Sequence, residues 1–335
     1  MDPPTPPSVE GPARNRDLSY VYLQKFDALQ EAEKGIPMTQ FYPYMKIRDM
    51  ELEFRLLKKI TETKDHAQLL CENSPETMSE NRYPDVLPYR DTIVRLTSGS
   101  YINADFVDGS MNETENLFIV TQGPMGTTKV KFWDMIWECD VSLIVMGCQM
   151  FEAGQEKCEQ YFPADAVDNS LKLGPYTIQL LKLREKKPGL FLRRLKVTHD
   201  DSDREVTVDH LHATRWPDQG SPDLDTDTDS LNYLIYYMEK RTVPGQKILV
   251  HCSAGCGRSG AIVGLYCMVT ALESLIKDES SPRVSVFGTV RRLREQRWGL
   301  VQTKEQYAFM YRYMESWITN YLSRRAYEED EFTEL

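Results

Sequence analysis

The stretch from Lys247 to Ile276 constrains the fold of this chain more than any other. It reads KILV, then HCSAGCGRSG, then AIVGLYCMVTALESLI. A short run of branched apolar residues makes a buried strand, and the small residues after it make a tight turn. The sixteen largely apolar residues that follow make a helix too hydrophobic to lie on a surface. A strand that enters a helix through such a turn aims consecutive backbone N–H groups and a helix N-terminus at one spot, which is a cradle for an anion. Gly255, Gly257 and Gly260, with Ser253 and Ala254, let the backbone curl around a tetrahedral oxyanion.

Cys252 stands at the base of that cradle. The helix dipole and the same N–H groups favour its thiolate, and a free thiol of pKa ~8.5 falls by several units in such a place. Arg258, six residues on, starts the helix, and its planar fork suits two equatorial oxygens of a phosphoryl group. The chemistry this implies is attack of a thiolate on phosphorus, a cysteinyl-phosphate, and its cleavage by water. Ser259 is placed to donate a hydrogen bond to the Cys252 sulfur as it departs, and Cys256 lies within the same loop. Cys-x5-Arg alone is a weak signal, because an ordinary strand–helix turn with a buried cysteine also fits it. The preceding strand, the small residues and the apolar helix sharpen it.

The rest of the chain supplies a domain for this turn. Strand-like runs occur at Thr92–Leu96, Tyr101–Val107, Leu117–Thr121, Val141–Met146, Tyr176–Leu181, Phe191–Val197 and Glu205–His212. Helical patterns occur at Thr128–Glu138, Asp227–Lys240, Gly260–Ile276, Val284–Gln296 and Glu305–Leu322. Strands mixed with helices in this order predict an α/β (α+β) domain. Residues 1–16 carry five prolines and read as a disordered tail. Residues 17–75 read as a helical segment packed on or preceding the domain, interrupted by loop from residue 72. A catalytic domain is expected over 76–323, and an acidic, frayed tail over 324–335. Across 335 residues the net charge is −11, which argues against a general nucleic-acid binder. No signal peptide opens the chain and no run reaches the ~18 apolar residues of a membrane span. The seven cysteines form no zinc-ligand pattern. A reduced cytoplasmic protein, or a nuclear one, is therefore expected, with no metal and no cofactor.

At VHCSAGCGRSG the sequence resembles the cysteine-dependent protein tyrosine phosphatases, in their phosphotyrosine-specific branch. The resemblance runs from about Asn81 to Tyr321 and holds several motifs in the family order: NRYPDVLPY, YINADFVDG, FIVTQGP, FWDMIWE, FEAGQEKCEQYFP, RWPDQG and VQTKEQY. It implies a central, highly twisted mixed sheet flanked by helices, with the phosphate-binding loop between a strand and a long helix. It implies that Asp218, on a mobile loop stiffened by Pro217 behind Trp216, is the general acid and then the base. Tyr83 would line a slot too deep for phosphoserine, and Asp85 would accept backbone N–H bonds from a peptide. Ser253, Ala254, Gly255, Cys256 and Gly257 would wrap the phosphate, and Gln302 and Gln306 would orient the hydrolytic water. Glu152 would hold Arg258, Lys157 would hold the acid loop, and His251 would shape the Cys252 loop rather than act as a base. The implied partners are phosphotyrosine-containing proteins, with the N-terminal segment open to a further partner.

The chain departs from the family pattern in places. Glu80 and Pro84 stand where basic residues are common around the depth loop, Gln219 where His often follows the acid, and Ser259 where Thr is commoner. Two other functions share these motifs. A phosphotyrosine-binding pseudophosphatase would have lost the Cys, the Arg or the acid, and all three are present. A dual-specificity or lipid phosphatase would have a shallower pocket than Tyr83 and the Trp-Pro-Asp motif imply. Dephosphorylation of a phosphotyrosine peptide against a phosphoserine peptide separates these readings.

Overall fold

The structure is a computed structural model that describes residues 33–71, 74–108, 117–277 and 282–333, with side chains to residue 322. The expected Pro-rich tail, and residues 17–32 of the expected helical segment, lie outside the described residues. In chain order the elements are β1 (Ile36–Pro37), α1 (Phe41–Ile47), α2 (Met50–Thr61), α3 (Lys64–Gln68), α4 (Pro75–Met78), β2 (Ala104–Val107), β3 (Phe118–Thr121), α5 (Lys129–Glu138), β4 (Val141–Met146), β5 (Phe151–Glu152), β6 (Gln155–Glu156), β7 (Ser170–Leu173), β8 (Tyr176–Lys187), β9 (Leu190–His199), β10 (Ser202–Ala213), α6 (Leu224–Lys240), β11 (Lys247–His251), α7 (Gly257–Lys277), β12 (Arg283–Val284), α8 (Val286–Arg294) and α9 (Lys304–Thr333).

Eight strands form one mixed sheet in the order β2-β3-β11-β4-β10-β9-β8-β7. Its centre is parallel: β11 pairs with β3 and β4, and β4 pairs with β10. The flanking pairs are antiparallel. A parallel centre has to be covered on both faces, which explains its unbroken apolar runs. Val141–Met146 is buried at every position. Alternate residues feed two cores: Ile248 and Val250 face α7, α8 and α9, while Leu249 packs with Phe132, Trp133 and Tyr161 on the other side. The helix α7 is long and apolar enough to cross a membrane by length and composition, and two-thirds of its most apolar window is buried inside the domain.

The mixed sheet with flanking helices is the fold class expected from the sequence, and several boundaries differ. Thr92–Leu96 is not a strand. It touches the sheet edge through an isolated bridge between Ile93 and Asp105, and its Thr92 hydroxyl bonds to Asp105 and the Gln296 carbonyl. Only Ala104–Val107 of the run Tyr101–Val107 pairs as strand. The strands β8, β9 and β10 run longer than expected, since each finds an antiparallel neighbour beyond its apolar residues. Helix α9 continues past Leu322 to Thr333, a stretch without Gly or Pro to stop it.

The helices upstream of residue 70 are tied to the helices behind the sheet by a buried carboxylate. Asp49 caps α2 through the Leu52 amide, which sets the helix so that Glu53 points inward. Glu53 accepts hydrogen bonds from the hydroxyls of Tyr307 (2.8 Å) and Tyr311 (2.7 Å) on α9 and pairs with Arg48. At the far end of α2, Arg294 of α8 donates to Thr61 and Glu62. Glu53→Ala should therefore strand two buried phenols and a cation, at a cost on the order of 3–5 kcal/mol. Glu51→Ala, which breaks only the exposed pair to Lys304, should change stability by no more than about 0.5 kcal/mol. Urea denaturation of both variants checks this; equal costs would mean that the buried carboxylate is no anchor.

Candidate active site

Four parallel strands deliver their carboxyl ends to one place, the usual ligand-binding edge of an open α/β sheet. The turn Cys252–Cys256 follows β11, and the acid loop with Asp218 follows β10. The β5–β6 hairpin, with Glu152 on β5 and Lys157 just beyond β6, follows β4. Gln122 and Gly123 follow β3. The Cys252 turn directs amides inward, so its carbonyls are met from behind. Ser253 O accepts from the Gly123 amide at 2.8 Å, and Cys256 O from the Gly260 and Val301 amides. Arg297, wholly buried, donates to Gly255 O (2.8 Å) and Ala254 O (3.2 Å), and is itself held by Asp105 and Asn103. Gly255 has a positive φ of 69°, and a Cβ there would stand 2.2 Å from Thr121 O, so only glycine fits.

Cys252 forms the floor of a pocket of about 260 Å³. Burial by itself would push its thiol up. The Arg258 charge, the Ser259 hydroxyl and the amides of Ser259 and Cys256 outweigh burial and bring the pKa below the ordinary thiol value. The Ser259 hydroxyl has no other hydrogen-bond partner among the described residues. Other cysteines move the opposite way. Burial takes Cys71 to about 11, and Cys139, Cys256 and Cys267 to about 12. Cys148 is raised by its contact with the Cys158 thiol and by burial. His251, buried beside Cys252, is lowered to about 3 by desolvation and stays neutral. Its ring bridges Cys252 O (3.1 Å) and the Tyr161 hydroxyl (2.7 Å), a shaping position rather than a base's.

The other expected residues gather around the same pocket. Arg258 donates to Glu152 (2.6 Å), to the Trp216 carbonyl (3.2 Å) and to Asp218 (3.2 Å). Burial opposes its charge, and Cys252 and Glu152 raise its pKa regardless. Lys157 donates to Asp218 at 2.8 Å, a bond that raises the lysine's pKa. The Trp216 ring packs edge-on against Phe309, and its indole N–H donates to Gly220 O, which anchors the acid loop. Tyr83 forms one wall, its hydroxyl 2.9 Å from that of Ser253. Asp85, Ala254, Gly257, Gln302 and Gln306 complete the lining expected from the sequence. The Gln306 carbonyl oxygen accepts from the Gln302 and Thr303 amides, and a Cβ at Gly257 would meet that side chain at 2.7 Å.

Two expected phosphate-wrapping residues do not line the pocket. Gly255 is pressed against β3. The Cys256 thiol turns away toward Trp298 O, and Cys256 acts on Cys252 through its amide. The structure also adds residues that the sequence reading did not single out. Arg297 is one of four arginines in RRLREQR; Arg291 and Arg294 are buried as well, and no local pattern marks Arg297 as the one that braces the loop. Tyr161 sits in a quoted motif without a role. Gln155 joins the pocket wall from β6, and Gln219, noted above only as a departure from the family pattern, joins it from the acid loop.

A family model described as protein-tyrosine phosphatase matches residues 77–316. The chain belongs to the protein-tyrosine phosphatase family. Human tyrosine-protein phosphatase non-receptor type 12 is 32% identical over 299 residues, 87% of this chain and 36% of that protein. Mouse non-receptor type 18 is 33% identical over 309 residues, 89% of this chain and 63% of that protein. The chain thus spans only part of these relatives. The crystal structure of the catalytic domain of human protein tyrosine phosphatase non-receptor type 18 superposes with a TM-score of 0.72 at 30% identity, covering 82% of this chain and 97% of that one. A complex of the type 18 phosphatase with phosphopeptides carrying the HER2 pY1196 site gives 0.74 at 28% identity, covering 84% and 99%.

The thiol contrast has a measurable result. Because only a lowered thiol keeps its thiolate as pH falls, iodoacetamide at pH 6 should alkylate Cys252 well before Cys71, Cys139, Cys256 or Cys267. Mild peroxide should follow the same order, and inorganic phosphate should protect Cys252. Mass spectrometry of graded labelling reads this out; earlier modification of another cysteine would contradict the assignment.

Proposed function

We propose that this protein hydrolyses phosphotyrosine in proteins through a cysteinyl-phosphate intermediate. The observation that carries the proposal is the convergence of Cys252, Arg258 and Asp218 on one pocket walled by Tyr83. The Cys252 thiolate attacks phosphorus in line with the P–O bond to the phenol, while Arg258 holds two equatorial oxygens. Asp218 gives its proton to the leaving phenolate oxygen, so neutral tyrosine departs. Water held by Gln302 and Gln306 then attacks the phosphocysteine, Asp218 takes the water's proton, and sulfur leaves as thiolate beside the Ser259 hydroxyl. His251 remains neutral and keeps the loop in shape, and no cofactor enters the scheme.

The slot between Tyr83 and the Cys252 turn supports selection by depth, since a phosphoserine is too short to reach its floor. The type 18 relative in complex with phosphopeptides supports phosphoproteins as the partner class. The non-receptor relatives agree with a cytoplasmic location. We further propose that residues 33–70 belong to the catalytic unit, because Glu53 anchors Tyr307 next to Gln306.

Asp218→Ala should lower kcat roughly 10²–10⁴-fold with KM unchanged or lower, and the loss should shrink for aryl phosphates with acidic phenols, which leave without a proton. An equal loss across leaving groups would reassign Asp218 to a structural role. Cys252→Ser should abolish turnover and retain oxyanion binding, because a hydroxyl is not ionised near neutral pH. Arg258→Lys should be severely impaired although charge is kept, since an ammonium makes no bidentate fork. Steady-state kinetics on p-nitrophenyl phosphate and on a phosphotyrosine peptide decide both; near-normal rates in either variant would reject the scheme.

A further inference from the structure

We propose that the mouth of this pocket selects phosphotyrosines flanked by neutral or basic residues and disfavours those flanked by Asp or Glu. The inference rests on the phosphotyrosine reading above and adds the class of sequence around the phosphate. Its basis is the direction in which each ion pair at the site points. Among the described residues, Arg258 and Lys157 are the only cations that line the pocket. Their side chains are 2% and 9% exposed, whereas Asp218, which both hold, is 38% exposed. Arg82, beside the wall tyrosine, is 9% exposed and donates to the carbonyls of Gly123, Pro124 and Glu156. Its carboxylate partner, Glu156, is 41% exposed. In these three pairs the cation is the buried member and the carboxylate the exposed one, while Glu152, the other partner of Arg258, is largely buried with it.

The rim between these pairs offers no compensating charge. Gln155, Gln219 and Gln302 are neutral, and Pro84 is exposed without a charge. Asp85 is exposed on the lip, and no described cation pairs with it. Glu80, next to the same loop, is tied to Lys131. A peptide carboxylate laid over this lip meets like charge in a screened, water-exposed setting, so the penalty is modest and salt-dependent. A lysine there meets Asp85 and Glu156 instead.

The test uses three phosphotyrosine peptides, identical except for Glu, Ala or Lys at the two residues before the phosphotyrosine and the one after it. Initial rates are measured on the full chain at low and at high salt. kcat/KM should rank Lys at or above Ala and both above Glu, with a spread of roughly threefold to tenfold that collapses in high salt. Asp85→Asn should narrow the spread. Pro84→Lys should raise the Glu peptide selectively and leave turnover of p-nitrophenyl phosphate unchanged, because that substrate does not reach the lip. Equal values for the three peptides, or a preference for Glu, would overturn the inference. Fluorescence anisotropy with the same peptides separates it from the catalytic reading. The same ranking in binding without turnover would reject the phosphatase mechanism and uphold the rim, whereas turnover without ranking would do the reverse.

Discussion

A loop that turns its amides toward an anion turns its carbonyls away from it, and in a buried loop those carbonyls have to be satisfied from behind. The rest of this structure depends on that requirement. Arg297 meets it for Gly255 and Ala254, and Asp105 and Asn103 hold Arg297 in turn. Asp105 lies on β2 and Arg297 just beyond α8, so the sheet edge and the helical layer are fastened together directly beneath the Cys252 turn. Burial pushes Asp105 up to about 6 against the pull of Arg297, a sign of how dry this support is. Gly123, His251 and Val301 complete the set from three other directions.

The same economy of charge governs the acid. Asp218 has two cations, Lys157 on one oxygen and Arg258 on the other, and Arg258 also lines the pocket above Cys252. Glu152 therefore matters beyond neutralisation. By taking the other end of the guanidinium at 2.6 Å it fixes the plane of the fork, so that the side presented to the pocket is always the same one. The Trp216 carbonyl binds that guanidinium as well, which links the position of the acid loop to the rotamer of the clamp.

Much of this was legible in the sequence because it is written locally. The strand, turn and helix around Cys252 follow from a dozen consecutive residues whose size and polarity leave few alternatives. Glu152, Lys157, Asp218 and Gln306 were readable only through their motifs, since a lone acid or amide carries no local mark of its partners. The illegible part is long-range. Nothing within a few residues of Arg297 distinguishes it from Arg292, and Thr92–Leu96 has the composition of a strand but lacks a neighbour that would pair along its length. Glu53 looked like one polar position among several on an amphipathic helix, and only the arrival of two tyrosines from α9, about 250 residues away in sequence, gives it a purpose.

That long reach bears on where the folded unit begins. The family match starts at residue 77, some two dozen residues after Glu53. A piece cut at that point would keep every residue that lines the pocket. It would also leave Tyr307 and Tyr311 facing a hole once filled by α2, with Gln306 one peptide bond from the damage. The edge of the family in sequence and the edge of the packed unit in space are then different places, and a buried carboxylate spans the gap between them.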